Sequence, residues 1–462
     1  MLIIPSFFCQ HKLKTFVHSI QQILIMSKPL EKELEVLEKE GIISTETAAN
    51  IRNYYKGKSE NPHNRLFTVF AVLGAILVGL GIILIIAHNW DELSRSTKVF
   101  FAFLPLILGQ AFCGFTLLKK TDNAGWKEGS AVFLFFSVGA SISLVSQVYN
   151  IHGDLSDFLF TWMLLCLPLT YLMKSSMTSL LYIAGITYYA VESHAYWSLF
   201  NHNYTFSYNY WWMLALAIPF YYSLYKERGD SNAMVMHNWI VPISLIFALG
   251  TMSSGHGNLL YIGYMSMFGM FYLIGSSDYF QNVRRRVNGY LVLGALGTMH
   301  ILLLASFHWF WEEIQRPDRS ESSIWGAPEF VLTVLFSAVA LSLFISQTRK
   351  SGMKDFHPTK IFFLIFILLY MMGQGTTIFP IMLVNIVILA NGIFTIRSGV
   401  KHDHLGILNY GLLTITALII CRFFDSNMSF VVRGLLFIAV GIGFFLANYL
   451  MLKKRKTVGH EK

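Results

Sequence analysis

The stretch that decides the fold is Leu66-Phe67-Thr68-Val69-Phe70-Ala71-Val72-Leu73-Gly74-Ala75-Ile76-Leu77-Val78-Gly79-Leu80-Gly81-Ile82-Ile83-Leu84-Ile85-Ile86-Ala87. It holds no charged residue. About 20 apolar residues wound as a helix cover a hydrocarbon core of roughly 30 Å, so this run reads as a transmembrane span. The same test, carried outward, predicts spans near Val99 to Leu118, Ser130 to Tyr149, Phe158 to Met173, Ser176 to Val191, Tyr208 to Tyr225 and His237 to Met252. It predicts more near Leu259 to Gly275, Asn288 to Phe310, Ala327 to Ser346, Lys360 to Gln374, Ile378 to Ile396, Leu405 to Ile420 and Phe430 to Leu452. Several runs are short, so the expectation is 12 to 14 spans, with 14 the best count.

Composition agrees. Of 462 residues, 54% are hydrophobic and 13% are charged, about half the roughly 25% of an ordinary soluble domain. A soluble fold is excluded for want of polar surface. The expected fold class is all-α: a polytopic integral membrane helix bundle. Lys and Arg number 35 against 26 Asp and Glu, a formal charge of +9. In a lipid-embedded chain this imbalance reports topology, and no nucleic-acid partner is expected. Cys9, Cys113, Cys166 and Cys421 lie far apart with no CxxC, so neither a disulfide framework nor a zinc knuckle is indicated.

Cytoplasmic loops accumulate Lys and Arg. With the N-terminus inside, the inner loops hold fifteen basic residues, among them Lys119, Lys120, Lys174, Arg284 to Arg286, Arg349, Lys350 and Lys401. The outer loops hold six: Arg95, Lys98, Arg316, Arg319, Arg422 and Arg433. Strict alternation favours fourteen spans with both ends inside, and the tail Lys453-Lys454-Arg455-Lys456 then also falls inside. Removing one span would invert every later loop against its bias.

Four segments follow. Residues 1–27 are an N-terminal extension, with Met26 a second candidate start; a short apolar run and no small-residue cleavage site argue against a secretory signal. Residues 28–60 read as a cytoplasmic amphipathic helical hairpin. Leu30, Leu34 and Leu37 share a face, Gly41 stops the first helix and Ser44 caps the second. A hairpin of this size cannot bury a stable core alone and is expected to dock on the membrane domain, a second copy or a protein partner. Residues 66–452 form the bundle and residues 453–462 the basic tail.

Three stretches carry a resemblance. Leu34-Glu35-Val36-Leu37-Glu38-Lys39-Glu40-Gly41-Ile42-Ile43-Ser44, with Ala48, Ile51 and Tyr54, is followed by Ala87-His88-Asn89-Trp90-Asp91 at the end of the glycine-bearing first span. Ser146-Gln147-Val148-Tyr149-Asn150-Ile151-His152-Gly153-Asp154 comes next. Together these resemble a family of predicted bacterial membrane proteins, domain of unknown function 2157. Arg422-Phe423-Phe424-Asp425, with Arg433-Gly434 and Phe437, is similar to the C-terminal ends of such proteins. The resemblance implies a multi-pass protein of the bacterial inner membrane and supplies no catalytic residue.

Ionisable groups in a bilayer core are costly and usually functional. None lies near the middle of a predicted span, which disfavours ion coupling through a buried carboxylate. Gln110, Gln147, His300, Gln374, Asn385, Asn391 and Asn448 are uncharged polar exceptions, each expected to bond a neighbouring helix. Acids and histidines gather at outer ends: His88, Asp91 and Glu92; His152, Asp154 and Asp157; Glu192, His194 and His202; His256; His308, Glu312 and Glu313. Such groups suit transition metals, but no HxxxH or HExxH spacing occurs, so no metal site and no cofactor are assigned.

Trp90 belongs in the interfacial aromatic belt, and Asp91 can pair with Arg422 or Arg433. Asp425 competes for Arg422 at i,i+3. Gly153 permits a tight turn after Gln147. The ligand-binding candidates are therefore Asn89, Trp90, Asp91, Gln147, His152, Asp154 and Arg422. The glycines form no phosphate loop. Basic inner groups favour membrane lipids as partners.

Three functions stay open. The first is a transporter-like or ligand-binding bundle, favoured by the span count. The second is a non-transporting scaffold or envelope sensor acting through the hairpin. The third is an enzyme on a lipid-linked substrate at the outer face, resting only on outward acids and histidines. The chemistry leans away from an enzyme.

Overall fold

The computed structural model describes residues 28–58, 92–194, 208–253, 256–280, 287–316, 323–351 and 357–425, with single helical positions at 70, 73, 74, 77, 431, 434, 435, 438, 441, 442 and 445. The predicted first and last spans lie largely outside the described residues, as do Asn89, Trp90, Asp91 and Asn448. The described chain is helical, with no strand among those residues. It divides into two compact units, Met1–Leu144 and Val145–Lys462.

The first unit opens with α1 (Lys28–Lys39) and α2 (Thr45–Lys58). Gly41 between them takes φ +69°, a left-handed conformation that glycine adopts without steric cost. The Ser44 Oγ accepts the Thr47 N–H at 3.2 Å, capping α2. Leu34 and Ala48 are buried, and Arg52 pairs with Glu38 at 3.2 Å across the hairpin. Two long apolar helices follow, α3 (Arg95–Lys119) and α4 (Ala124–Tyr149), the latter ending in the second unit. They run antiparallel: Ser141 donates to the Ala102 carbonyl at 2.7 Å, and Thr116 to Ser130 at 3.2 Å. Phe112 meets Phe133 edge-on, as Phe115 does Trp126.

The second unit continues with α5 (Leu155–Met173), α6 (Ser176–His194), α7 (Asn209–Arg228), α8 (Asn232–Gly250) and α9 (Leu259–Gly275). It ends with α10 (Gly289–Ala305), α11 (His308–Gln315), α12 (Pro328–Ser351), α13 (Phe362–Gly373), α14 (Ile378–Lys401) and α15 (Leu405–Asp425). The core is built on α9, which is apolar on every side. Met265, Met267, Phe271 and Leu273 are all fully enclosed, as expected of a helix without a polar face. Its neighbours are α10, α12 and α13.

Contacts fix the direction of each helix. Thr333 donates to the Leu259 carbonyl, Ser266 meets Ser337, and Gln347 donates to the Leu273 carbonyl. Both numberings rise together, so α9 and α12 are parallel. A Cβ on Gly275 would strike Leu291, and one on Gly294 would strike Tyr272, so α10 runs antiparallel to α9. The same test makes α6 parallel to α8, through Ser179 with His237 and Thr187 with Ser244. It makes α7 antiparallel to both. From α5 to α15 the chain alternates direction, with α10 and α11 forming one bent excursion.

Seven described helices are long and apolar enough to cross a membrane: α3, α4, α5, α8, α12, α14 and α15. The α10–α11 pair, bent by 82°, makes up to eight. Helix α9 and the run Pro358–Gly373 are apolar but shorter. Helices α6 and α7 are long enough, yet hydroxyl and aromatic residues dilute their apolarity. Outward positions are greasy throughout: Ile107, Leu165, Phe247, Leu368, Met371, Ile386 and Leu413 are all exposed. Monomeric soluble proteins rarely show contiguous apolar surface beyond a few hundred Å², so this outer surface fits contact with lipid.

Candidate functional site

Of the ligand-binding candidates, Gln147, His152, Asp154 and Arg422 lie among the described residues, and Asn89, Trp90 and Asp91 do not. Gln147, His152 and Asp154 are exposed on the link between α4 and α5. That link is closed locally, with Ser146 donating to the Ile151 carbonyl at 2.8 Å. The residue taking the left-handed turn is Asn150, at φ +50°, and Gly153 is not strained. This corrects the expectation for Gly153. Asparagine visits that region because its short amide bonds its own backbone.

Arg422 reaches a hydroxyl and an aromatic ring at the break between α10 and α11. Its Nη2 donates to Ser306 Oγ at 3.2 Å, and its guanidinium lies 5.0 Å from the Phe307 ring centre. Asp91 and the Asp425 side chain lie outside the described residues. Ser306 and Phe307 are the two residues at which the α10–α11 excursion bends, so the cation near the end of α15 sits on the break itself. A cation held over an aromatic face gains roughly 0.5–2 kcal/mol.

The break is built by side chains. Trp311 is fully buried and its Nε1 donates to the Ala305 carbonyl at 2.7 Å, covering a carbonyl that the end of α10 leaves open. Its ring packs where Gly373 has no side chain. Gln315 donates to the Gly373 carbonyl at 2.8 Å, and Asn258 to the Glu313 carbonyl at 3.3 Å. Helix α11 is thereby held between the end of α13 and the loop before α9.

Beside this loop lies a residue that hydropathy did not single out. Glu329 is fully enclosed in the first turn of α12, and its Oε1 accepts the buried His256 N–H at 3.3 Å. The loop before α9 thus joins two outer-end residues named from the sequence: His256, which lies on it and bonds Glu329, and Glu313, whose carbonyl accepts from Asn258. His308 and Glu312 pair with each other at the surface, 3.3 Å apart. No three His, Cys, Asp or Glu side chains among the described residues converge closely enough to hold a metal ion.

Deeper polar contacts fall on hydroxyls rather than on most of the amides marked in the sequence. Gln110, His300 and Gln374 are exposed, and Asn385 donates to its own helix at Ile381. Asn391 is buried and accepts from Thr359 at 3.4 Å. Buried interhelical bonds include those of Ser244, shared between Thr187 and Tyr210 at 2.6 Å each, and of His237, whose Nε2 meets Ser179 at 2.9 Å. His237 Nδ1 faces the Ala233 carbonyl at 2.8 Å, which fixes the proton on Nδ1 and leaves Nε2 to accept from Ser179. At that end of the unit Tyr279 donates to the Gly229 carbonyl. Burial, reinforced by nearby Tyr225 and Asp230, raises its phenol above the ordinary value against a lowering bond from Asn238, so it stays a donor.

The sequence model of a family described as Predicted membrane protein (DUF2157) matches residues 35–179. No curated protein and no solved structure matched the chain. The matched stretch, just under a third of the chain, begins within α1 and runs through α2 to α5 into the start of α6; over it the chain is similar to that family, and with seven long apolar helices among the described residues it is a membrane protein of several apolar helices.

Proposed function

We propose that this chain is a multi-pass protein of the bacterial cytoplasmic membrane, threaded fourteen times with both ends inside, and that it binds a small ligand at the broken span, as a transporter-like protein does. The observation that carries the reading is the 82° break between α10 and α11 with Arg422 seated on it. Non-helical backbone at membrane depth is tolerated where protein or a water-filled cavity covers it, and interrupted helices form the ligand sites of many carriers. Helix α10 rises about 25 Å, so the break falls near one edge of a roughly 30 Å core. Of the set Asn89, Trp90, Asp91, Gln147, His152, Asp154 and Arg422, this reading retains Arg422 as the ligand-facing cation. The alternation from α5 to α15 supports the threading.

The test is a thermal-shift screen of the purified protein against small anions, cations and neutral solutes, repeated on Arg422→Gln and Ser306→Ala. Solutes that stabilise the wild type and lose their effect in both variants support the site. A screen with no stabilising solute, or one whose solutes act equally on Arg422→Gln, overturns it. Uptake of a stabilising solute into vesicles then separates a carrier from a sensor.

One observation favours a second reading, a scaffold or sensor. The charged α1–α2 hairpin exposes Val36 and Ile42, the latter at 63%, leaving apolar surface for a partner or a second copy. Mild-detergent pull-downs that return the same set of proteins with and without residues 28–60 remove this reading.

A further inference from the structure

A groove of about 540 Å³ opens on the outward side of α12, lined by Ser342, Ile345, Ser346, Arg349 and Lys350. All five residues lie on one helix, so the groove is shallow and open along its outward side. Above it the same face of α12 is apolar and exposed, through Val331, Leu335 and Leu341. From Val331 to Ile345 the helix rises about 21 Å, more than the roughly 15 Å of one leaflet's hydrocarbon. The face therefore changes from a greasy lane to two hydroxyls and two cations within the last turns of a membrane-spanning helix. Asp278 pairs with Lys350, while among the described residues no carboxylate pairs with Arg349. Gln347, on the opposite side, donates to the Leu273 carbonyl at 2.7 Å and anchors this end of α12 on α9.

We propose that this groove is a specific site for an anionic phospholipid. The phosphodiester is received by the Arg349 guanidinium, whose fork matches phosphate oxygens, and by the Ser346 hydroxyl, while Ser342 donates to the Val339 carbonyl of its own helix and borders the site. One acyl chain lies along Leu341 and Leu335. Lys350, already neutralised by Asp278, borders the site, so the groove presents about one net positive charge. That matches a headgroup of single negative charge and leaves a zwitterionic headgroup with its amine facing Arg349. The proposal is independent of the broken span, which lies near the other end of α12.

The experiment titrates the full-length protein in mild detergent with phosphatidylglycerol, with phosphatidylcholine of the same chains and with sodium phosphate, counting bound lipid by native mass spectrometry. Phosphatidylglycerol is expected to remain bound where phosphatidylcholine does not, with inorganic phosphate failing to displace it. Arg349→Gln should weaken its binding about fivefold. Ser346→Leu fills the groove while keeping the charge, at an exposed position where leucine is well tolerated, and should weaken it similarly. Lys174→Gln, at an exposed basic residue elsewhere, should leave binding unchanged. Equal retention of both lipids, full displacement by phosphate, or an equal loss in Lys174→Gln overturns the proposal. Wild-type binding in Ser346→Leu does so even where Arg349→Gln fails to fold.

Discussion

Glu329 stands two residues inside an apolar run, where its charge is expensive unless hydrogen-bonded. Features that offset its enclosure include the N–H groups and dipole at the start of α12 and the His256 N–H. Removing the acceptor should therefore cost more than removing the charge. Glu329→Gln keeps an oxygen for His256 and should lower stability modestly. Glu329→Leu leaves a buried N–H without its acceptor and should cost roughly 1–3 kcal/mol. Thermal unfolding in detergent, compared across the two variants, checks the order. Equal losses would mean that the charge, and not the bond, holds the loop. In the sequence this residue was hidden, because hydropathy averages over a window and Glu329 sits at the window's edge.

At the scale of elements, α14 and α15 pack backbone to backbone. A Cβ on Gly411 would come within 2.8 Å of the Ile396 nitrogen and 2.9 Å of the Gly392 carbonyl oxygen. Small residues give membrane helices this approach. Gly411→Ala should therefore destabilise the protein by about 1–3 kcal/mol through overpacking. Gly114→Ala in α3, where a Cβ meets nothing within 4 Å, should not. Unfolding midpoints of the two variants decide it: alanine favours a helix over glycine by roughly 1 kcal/mol, so Gly114→Ala should hold or gain stability, and an equal loss in both would rule out overpacking at Gly411 as the cause. The positions of the helices were readable from apolar runs: each predicted span between Val99 and Ile420 coincides with a described helix or with the bent pair. The bend at Ser306 and Phe307 was not readable. Phe307 to Phe310 simply extends the apolar run, and only the Trp311 bond to Ala305 and the Gln315 bond to Gly373 turn it aside.

For the whole molecule, the proposed fourteen-span threading has the link around His152 on one side of the membrane and Lys174 and Lys401 on the other. Single cysteines at these exposed positions, in a chain lacking its own four, should react accordingly with a membrane-impermeant maleimide. Position 152 should label in intact cells, and positions 174 and 401 only in inverted vesicles. Labelling of 174 and 401 on opposite sides would break the fourteen-span threading. The basic-residue bias that predicts this pattern and the helix directions that support it are independent of each other, since one counts loop charges and the other rests on contacts inside the fold.

The sequence by itself determined that this is a membrane protein of apolar helices, because the length and greasiness of a span are local properties written in consecutive residues. It also determined the capped hairpin between α1 and α2, whose glycine stop and serine cap act within four residues of each other. The tertiary structure alone decided which polar groups meet. Arg422 and Ser306, Glu329 and His256, and Ser179 and His237 are separated by 116, 73 and 58 positions. Serine, threonine and tyrosine barely alter a hydropathy profile, so only packing shows which hydroxyls join helices and where a helix is made to break.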